Sequence, residues 1–198
     1  SRRRGLNDSV YAVALNPKNG DVLAMSGKKV VDGKVVDDTL GVITNAFNMG
    51  SSVKGATILT GYMDGVLALD NNTSVDTPLT FQGSSNISSV FNRSVSVAVN
   101  DIAMRMGGYY NYRPNQTVPI NATSTIQKMR QYYRQFGLGS PTGIDLPGES
   151  TGQQGPITNP GQAMFLSFGN FDTYTIMQLA QYASTLANGA IRFAPRLV

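Results

Sequence analysis

The segment Met49-Gly50-Ser51-Ser52-Val53-Lys54-Gly55-Ala56-Thr57 decides how the rest of the chain is interpreted. Apolar residues recur at helical spacing from Ser51 to about Asp64, which predicts a helix with one buried face. The residues predicted to point inward are Val53, Ala56, Leu59 and Met63. Ser51 and Lys54 are three residues apart, so a helix places their Cβ atoms about 5–6 Å apart on one face. Their side chains can therefore meet.

Ser51 and Lys54 are the residue types that nucleophilic catalysis needs. A serine hydroxyl must lose its proton to a base, and a lysine can be that base once its pKa has fallen toward neutrality. The first turn of a helix carries about half a positive charge, which opposes the Lys54 cation and favours negative charge on the Ser51 oxygen. Ser-x-x-Lys also occurs by chance with a solvated lysine, so the pair alone leaves both interpretations open. A phosphate-binding loop does not fit, because Gly55 follows Lys54 where that pattern needs Ser or Thr.

The N-terminal part of the sequence predicts strands. Two strand-like runs at 9–15 and 21–25 flank Asn16-Pro17-Lys18-Asn19-Gly20, and this pattern predicts a β-hairpin. Residues 28–40 are polar and contain glycine, which predicts an exposed loop or a second, shorter hairpin. Polar or small residues alternate with valines at 94–99, which favours a strand there.

The C-terminal part predicts two further helices, from about 124 to 136 and from about 174 to 188, ended by Gly137 and Gly189. The inward side chains of the second of these are predicted to be Ile176, Leu179, Ala183 and Leu186. Residues 137–149 are rich in turn formers and predict a surface connection. Because strands and helices mix without regular βαβ alternation, we expect an α+β domain in which helices pack with an antiparallel sheet.

Composition excludes several classes of site. The 198 residues, 41% hydrophobic and 14% charged, are those of one globular domain. With no cysteine and no histidine, a disulfide or a thiolate metal site is excluded, and we expect no metal and no cofactor. The net charge of +4 is modest, and the three arginines at 2–4 are predicted to form a solvated tail. We therefore expect no nucleic-acid partner. No leader and no apolar run of about 20 residues is present, so a membrane anchor would lie outside this sequence.

The order of several segments resembles the transpeptidase domain of class B penicillin-binding proteins, of a Gram-positive type. The opening hairpin at 11–17 and 20–25 resembles that of the family, and 49–57 resembles its active-serine helix. Later segments similar to the family, in the same order, lie at 136–139, 142–149, 177–182, 187–189 and 194–196. The resemblance covers nearly the whole chain, so residues 1–198 are expected to be part of a transpeptidase domain.

The resemblance implies a peptidoglycan D,D-transpeptidase on the extracytoplasmic face of a bacterial cell membrane. Ser51 would be the nucleophile, Lys54 its general base within hydrogen-bond reach, and the Ser51 backbone N–H one oxyanion donor. The implied partners are peptidoglycan stem peptides, β-lactam antibiotics and other cell-wall synthesis proteins. Ser52 is the alternative nucleophile, but it lacks the spacing to Lys54.

Two elements of the family pattern are not found where they belong. The Lys-Thr/Ser-Gly strand is expected beyond Val198, so this chain alone should be acylated poorly. The stretch 93–106 contains no Ser-x-Asn, and Ser94 and Ser96 fit a structural role better. We therefore expect a segment of about a dozen residues to be skipped between Ile102 and Ala103, because a helix that is capped at Asn100-Asp101 and ends at Gly107-Gly108 would be unusually short. A β-lactam sensor, a β-lactamase-like protein and a non-catalytic scaffold of the same fold remain alternatives.

Overall fold

The computed structural model describes residues 8–68, 96–113 and 116–198. Helices and small antiparallel sheets make up the described chain, so the predicted α+β class is confirmed. The chain divides into two compact units. The first contains residues 8–47, 135–153 and 174–198, and the second contains the described residues of 48–134 and 154–173.

The first unit opens with a three-stranded antiparallel sheet. Strands β1 (Ser9–Leu15), β2 (Val22–Val31) and β3 (Lys34–Asp37) lie in the order β1-β2-β3. The predicted opening hairpin is confirmed, although β2 runs six residues further than expected. The turn between β2 and β3 has positive φ at both Asp32 (50°) and Gly33 (77°), as tight hairpin turns require. Of the two alternatives for residues 28–40, the second hairpin is therefore the correct one.

A small apolar core holds the rest of the first unit together. Helix α1 (Gly41–Thr44) precedes β4 (Ala46–Phe47), which pairs antiparallel with β5 (Tyr174–Thr175), the short strand that leads into the next helix. The buried centre of this core consists of Val42, Ile43, Ile144 and Met177. Leu138, Thr142 and Ile144 are buried, so the segment 137–149 is more than the surface connection that we predicted.

The last helix, α6 (Ile176–Ala187), buries a different face from the one predicted from its apolar residues. Ala183 and Leu186 are exposed, while the buried residues are Met177, Gln178, Gln181, Tyr182 and Thr185. The glutamines are buried because their amides satisfy loop carbonyls. Gln178 Nε2 donates to the carbonyls of Ser140 and Thr151, and Gln181 Nε2 donates to those of Thr142 and Phe193.

The second unit is helical in its described part. A 3₁₀ turn (Gly50–Val53) continues directly into α2 (Lys54–Met63), followed by α3 (Ser96–Met106), α4 (Ala122–Gln135) and α5 (Gly161–Ser167). The predicted helices at 51–64 and 124–136 are confirmed, and α5 was not predicted. Ile126, Met129, Tyr133 and Phe136 are all buried. In the described ranges, no helix has the length and apolar content needed to span a membrane.

Three details of the second unit differ from the prediction. On α2, Met63 is exposed and Leu59 half-buried, whereas the polar Thr57 and Thr60 are fully buried. Residues 96–99 are helical, so the strand predicted there is wrong for these residues. Helix α3 also runs without interruption through Ile102–Ala103, so the chain has no break at the place where we expected a skipped segment. Its end is as predicted, since Gly107 follows Met106.

Candidate active site

Ser51 lies in the first helical turn of the segment that becomes α2. The 3₁₀ turn begins at Gly50, and the backbone N–H of Lys54 donates to the carbonyl of Ser51, which joins the turn to the helix. Ser51 is exposed, while Val53 between the two candidate residues is fully buried and anchors the turn. The predicted location of Ser51 at the start of a helix is therefore confirmed.

Lys54 occupies a half-buried position at the first residue of α2. Burial lowers the pKa of the Lys54 amine from its ordinary value of 10.5, because desolvation penalises the cation. The sequence from 45 to 63 contains no acidic residue that would favour the charged form locally. The shift has the direction that a general base requires. A hydrogen bond from the Ser51 hydroxyl to this amine stays a prediction.

Ser52 has a different role from its neighbour. Its hydroxyl donates to the carbonyl of Met49 at 2.6 Å, an interaction with the residue that precedes the 3₁₀ turn. Such a bond back to the previous turn is the usual behaviour of a serine near a helix start. Ser52 is therefore engaged in local structure, which agrees with the assignment of the nucleophile to Ser51.

Two glycines bring the start of the segment 50–57, which contains Ser51 and Lys54 and is called the Ser51–Lys54 turn below, against the residues that follow α5. The backbone N–H of Gly50 donates to the carbonyl of Gly169 at 3.0 Å. A Cβ atom at Gly169 would lie 2.1 Å from the Gly50 oxygen, and its φ of +84° is a conformation that side chains rarely adopt. Gly169 is thus required twice, for its backbone angle and for the close approach.

A buried hydroxyl follows the candidate pair by one turn. Thr57 is fully buried on α2, and its Oγ1 donates to the carbonyl of Ser167 at 2.6 Å and contacts the hydroxyl of Tyr133. Our inspection of the sequence missed Thr57, Ser167 and Gly169. A glycine placed just after a short apolar run at 163–168 was the available signal, and it indicated only a helix end.

The family's second motif has one possible match that our inspection of 93–106 left out. Ser84-Ser85-Asn86 has the Ser-x-Asn spacing, and it is the only such triplet in the sequence. It lies outside the described residues, as does Ser94, whereas Ser96 is the first residue of α3. In the described part of the chain, no group of three acidic or other metal-binding side chains is assembled.

Comparison with known proteins identifies the family. The penicillin-binding protein transpeptidase domain matches residues 10–198. Penicillin-binding protein H of Bacillus subtilis is 41% identical over 213 aligned positions, covering 100% of this chain and 30% of that protein. Penicillin-binding protein 2B of Streptococcus pneumoniae serotype 2 is 42% identical and covers 97% of this chain and 31% of that protein. The chain thus spans less than a third of these two relatives.

Solved structures agree with this match. Penicillin-binding protein 2B from Streptococcus pneumoniae strain 5204 has a TM-score of 0.82 and 41% identity, covering 96% of this chain and 34% of that chain. Penicillin-binding protein 3 from Mycobacterium tuberculosis, complexed with ampicillin, shares the fold with a TM-score of 0.64 at 22% identity, covering 95% of this chain and 42% of that chain.

The aligned length shows that one relative has residues with no counterpart in this chain. The alignment with the Bacillus protein has 213 positions for the 198 residues of this chain, so at least 15 positions (213 − 198) have no counterpart here. The resemblance to class B proteins of a Gram-positive type is confirmed, and the chain belongs to the penicillin-binding protein transpeptidase domain family.

Proposed function

We propose that this chain carries the acylation site of a serine-type D-Ala-D-Ala transpeptidase, with Ser51 as nucleophile and Lys54 as general base. The observation that supports this most directly is an exposed serine at a helix start, followed three residues later by a half-buried lysine. The lowered pKa of Lys54 adds a chemical reason, because the neutral amine is the form that can accept a proton.

The proposed reaction has two acyl transfers. The Lys54 amine takes the Ser51 hydroxyl proton as Oγ attacks the carbonyl of the penultimate D-alanine of a stem peptide. The C–N bond to the terminal D-alanine breaks, and that amine leaves with a proton. The amine of a second stem peptide then attacks the ester and releases Ser51, which completes the cross-link. The backbone N–H of Ser51 is suited to stabilise the oxyanion at each step.

A β-lactam would enter the same first step, because its strained amide presents a carbonyl to Ser51. The opened ring stays attached, so the acyl-enzyme persists. We further propose that residues 1–198 form part of the transpeptidase domain, with a Lys-Thr/Ser-Gly strand following Val198. The site would act on peptidoglycan outside the cytoplasm, in a protein anchored to the membrane and working with other cell-wall synthesis proteins.

Labelling with a fluorescent penicillin tests this proposal in the full-length protein that contains the chain. Ser51→Ala should abolish covalent labelling, whereas Ser52→Ala should retain it, since the Ser52 hydroxyl is engaged in a bond to the carbonyl of Met49. Labelling that survives Ser51→Ala would refute the assignment, and no labelling of the unaltered protein would favour a non-catalytic scaffold. Rapid loss of the label would instead indicate a β-lactamase.

A further inference from the structure

Two carbonyl groups at the end of α5 accept hydrogen bonds from the Ser51–Lys54 turn, one on each side of the candidate pair. The carbonyl of Gly169 accepts from the backbone N–H of Gly50, the residue before Ser51. The carbonyl of Ser167 accepts from the hydroxyl of Thr57, three residues after Lys54. Because these carbonyls are only two residues apart, one short segment fixes both ends of the turn.

The hydrogen-bond directions in this contact are set by a proton count. Thr57 has one hydroxyl proton, and it goes to the Ser167 carbonyl, which can only accept. The short bond between Thr57 and Tyr133 therefore runs from the tyrosine hydroxyl to Thr57 Oγ1, and the same hydroxyl makes a longer second contact of 3.4 Å with the carbonyl of Leu166. Tyr133 is 1% exposed and Thr57 is 0% exposed, so this chain of donors is shielded from water. Buried bonds of this kind are stronger and more directional than exposed ones.

The accepting segment is itself fixed by side-chain bonds. The Ser167 hydroxyl lies 2.7 Å from the carbonyl of Met164 and 3.0 Å from Oδ1 of Asn100 on α3. Ser167 is fully buried and Asn100 is 1% exposed. Ser167 on α5 is thus bonded to Thr57 of α2 through its carbonyl and to Asn100 of α3 through its hydroxyl, while Tyr133 of α4 reaches it through Thr57.

We propose that Thr57, together with Ser167 and Gly169, forms a positioning device for the Ser51–Lys54 turn. This inference rests on the proposed function. These residues do not touch the reacting atoms. They fix the rotation of the turn about the axis of α2 and its position along that axis. These two quantities set the geometry in which the Lys54 amine meets the Ser51 hydroxyl. The cost of misplacing a reacting group by about 1 Å is typically about 100-fold in rate, so small shifts here are measurable.

Acylation kinetics with a penicillin, at a temperature where each variant is folded, test this role in the full-length protein. Thr57→Val keeps the shape and removes the hydroxyl, and it should lower the acylation rate constant about 10- to 100-fold with a smaller change in initial binding. Thr57→Ser keeps both bonds and should restore a rate close to that of the unaltered protein. The matched control is Thr60→Val, because Thr60 is equally buried on the same helix and its hydroxyl has no hydrogen-bond partner among the described residues.

The outcomes separate positioning from a purely structural role. If Thr57→Val only reduces the fraction of folded protein, the labelling amplitude falls while the rate constant stays unchanged, and the inference is overturned. An equal rate loss in Thr60→Val would overturn it as well. If Thr57→Val does not fold, Tyr133→Phe removes the donor to Thr57 and should slow acylation, and an unchanged rate there would also contradict the proposal. Failure of Ser51→Ala to abolish labelling would refute the proposed function itself.

Discussion

Gly169→Ala should be among the most damaging single-methyl additions in the described part of the chain. The new Cβ would lie 2.1 Å from the oxygen, 2.7 Å from the nitrogen and 2.8 Å from the carbonyl carbon of Gly50. All three atoms are backbone, so no side chain can rotate away to make room. The hydrogen bond from Gly50 to the Gly169 carbonyl would be stretched by any movement that relieved the overlap.

Two contributions set the size of the effect. A non-glycine residue at φ of +84° costs about 1–2 kcal/mol in backbone strain. Overpacking of a tight contact typically adds about 1–3 kcal/mol. We therefore expect the free energy of unfolding to fall by about 2–5 kcal/mol. Acylation should slow as well, because the strained contact adjoins Ser51.

Gly108→Ala is the control that isolates the strain from the clash. Gly108 has φ of +85°, and an added Cβ there would meet nothing within 4 Å. Urea unfolding followed by circular dichroism should show a loss of only about 1–2 kcal/mol for this variant. If Gly169→Ala proves no more destabilising than Gly108→Ala, the close approach of Gly169 to Gly50 is not a stabilising feature, and our account of the turn is wrong.

Three further predictions concern the buried ion pair, the pKa of Lys54 and the reactivity of the isolated chain. Asp172→Ala should lower the free energy of unfolding by about 3–5 kcal/mol in urea titrations, because it leaves the buried Arg130 guanidinium without its carboxylate. Lys28→Ala, which removes the cation of an exposed pair with Asp37, is the control and should change the free energy of unfolding little. Acylation should speed up with rising pH and level off below pH 10.5, because the neutral amine is the active form and burial lowers the pKa of Lys54. Lys54→Arg should be acylated slowly at every pH, and a rate that still rises above pH 10.5 in the unaltered protein would exclude Lys54 as the base. The 198-residue chain alone should react with a penicillin about 10²–10³-fold more slowly than the full-length protein, because it lacks the oxyanion donor of the proposed Lys-Thr/Ser-Gly strand and one such donor is worth about 2.7–4 kcal/mol. Equal rates would show that the site is complete within this chain.

Local pattern was sufficient to predict the elements that carry the candidate pair. The Asn-Gly turn predicted the first hairpin, and the apolar spacing after Ser51 predicted α2, because both features depend on neighbours in sequence. The prediction that Ser51 and Lys54 lie on one face required only helix geometry.

Features that depend on distant residues were not predictable from local pattern. Gln178 and Gln181 are buried on α6 because their side-chain amides donate to carbonyls of distant loops. A prediction that buries only the apolar residues of this helix therefore selects the wrong face. Thr57 is buried for the same reason, as its partners are Ser167 and Tyr133. Residues 96–99 are helical despite their strand-like alternation, and Val99 is fully buried there.

Identification of the acylated residue by mass spectrometry tests the central claim most directly. After exposure of the full-length protein to a β-lactam, trypsin should release the peptide 35–54, which contains both Ser51 and Ser52. Fragmentation of that peptide should place one opened β-lactam on Ser51. An adduct on Ser52, or on any residue outside this peptide, would contradict the account.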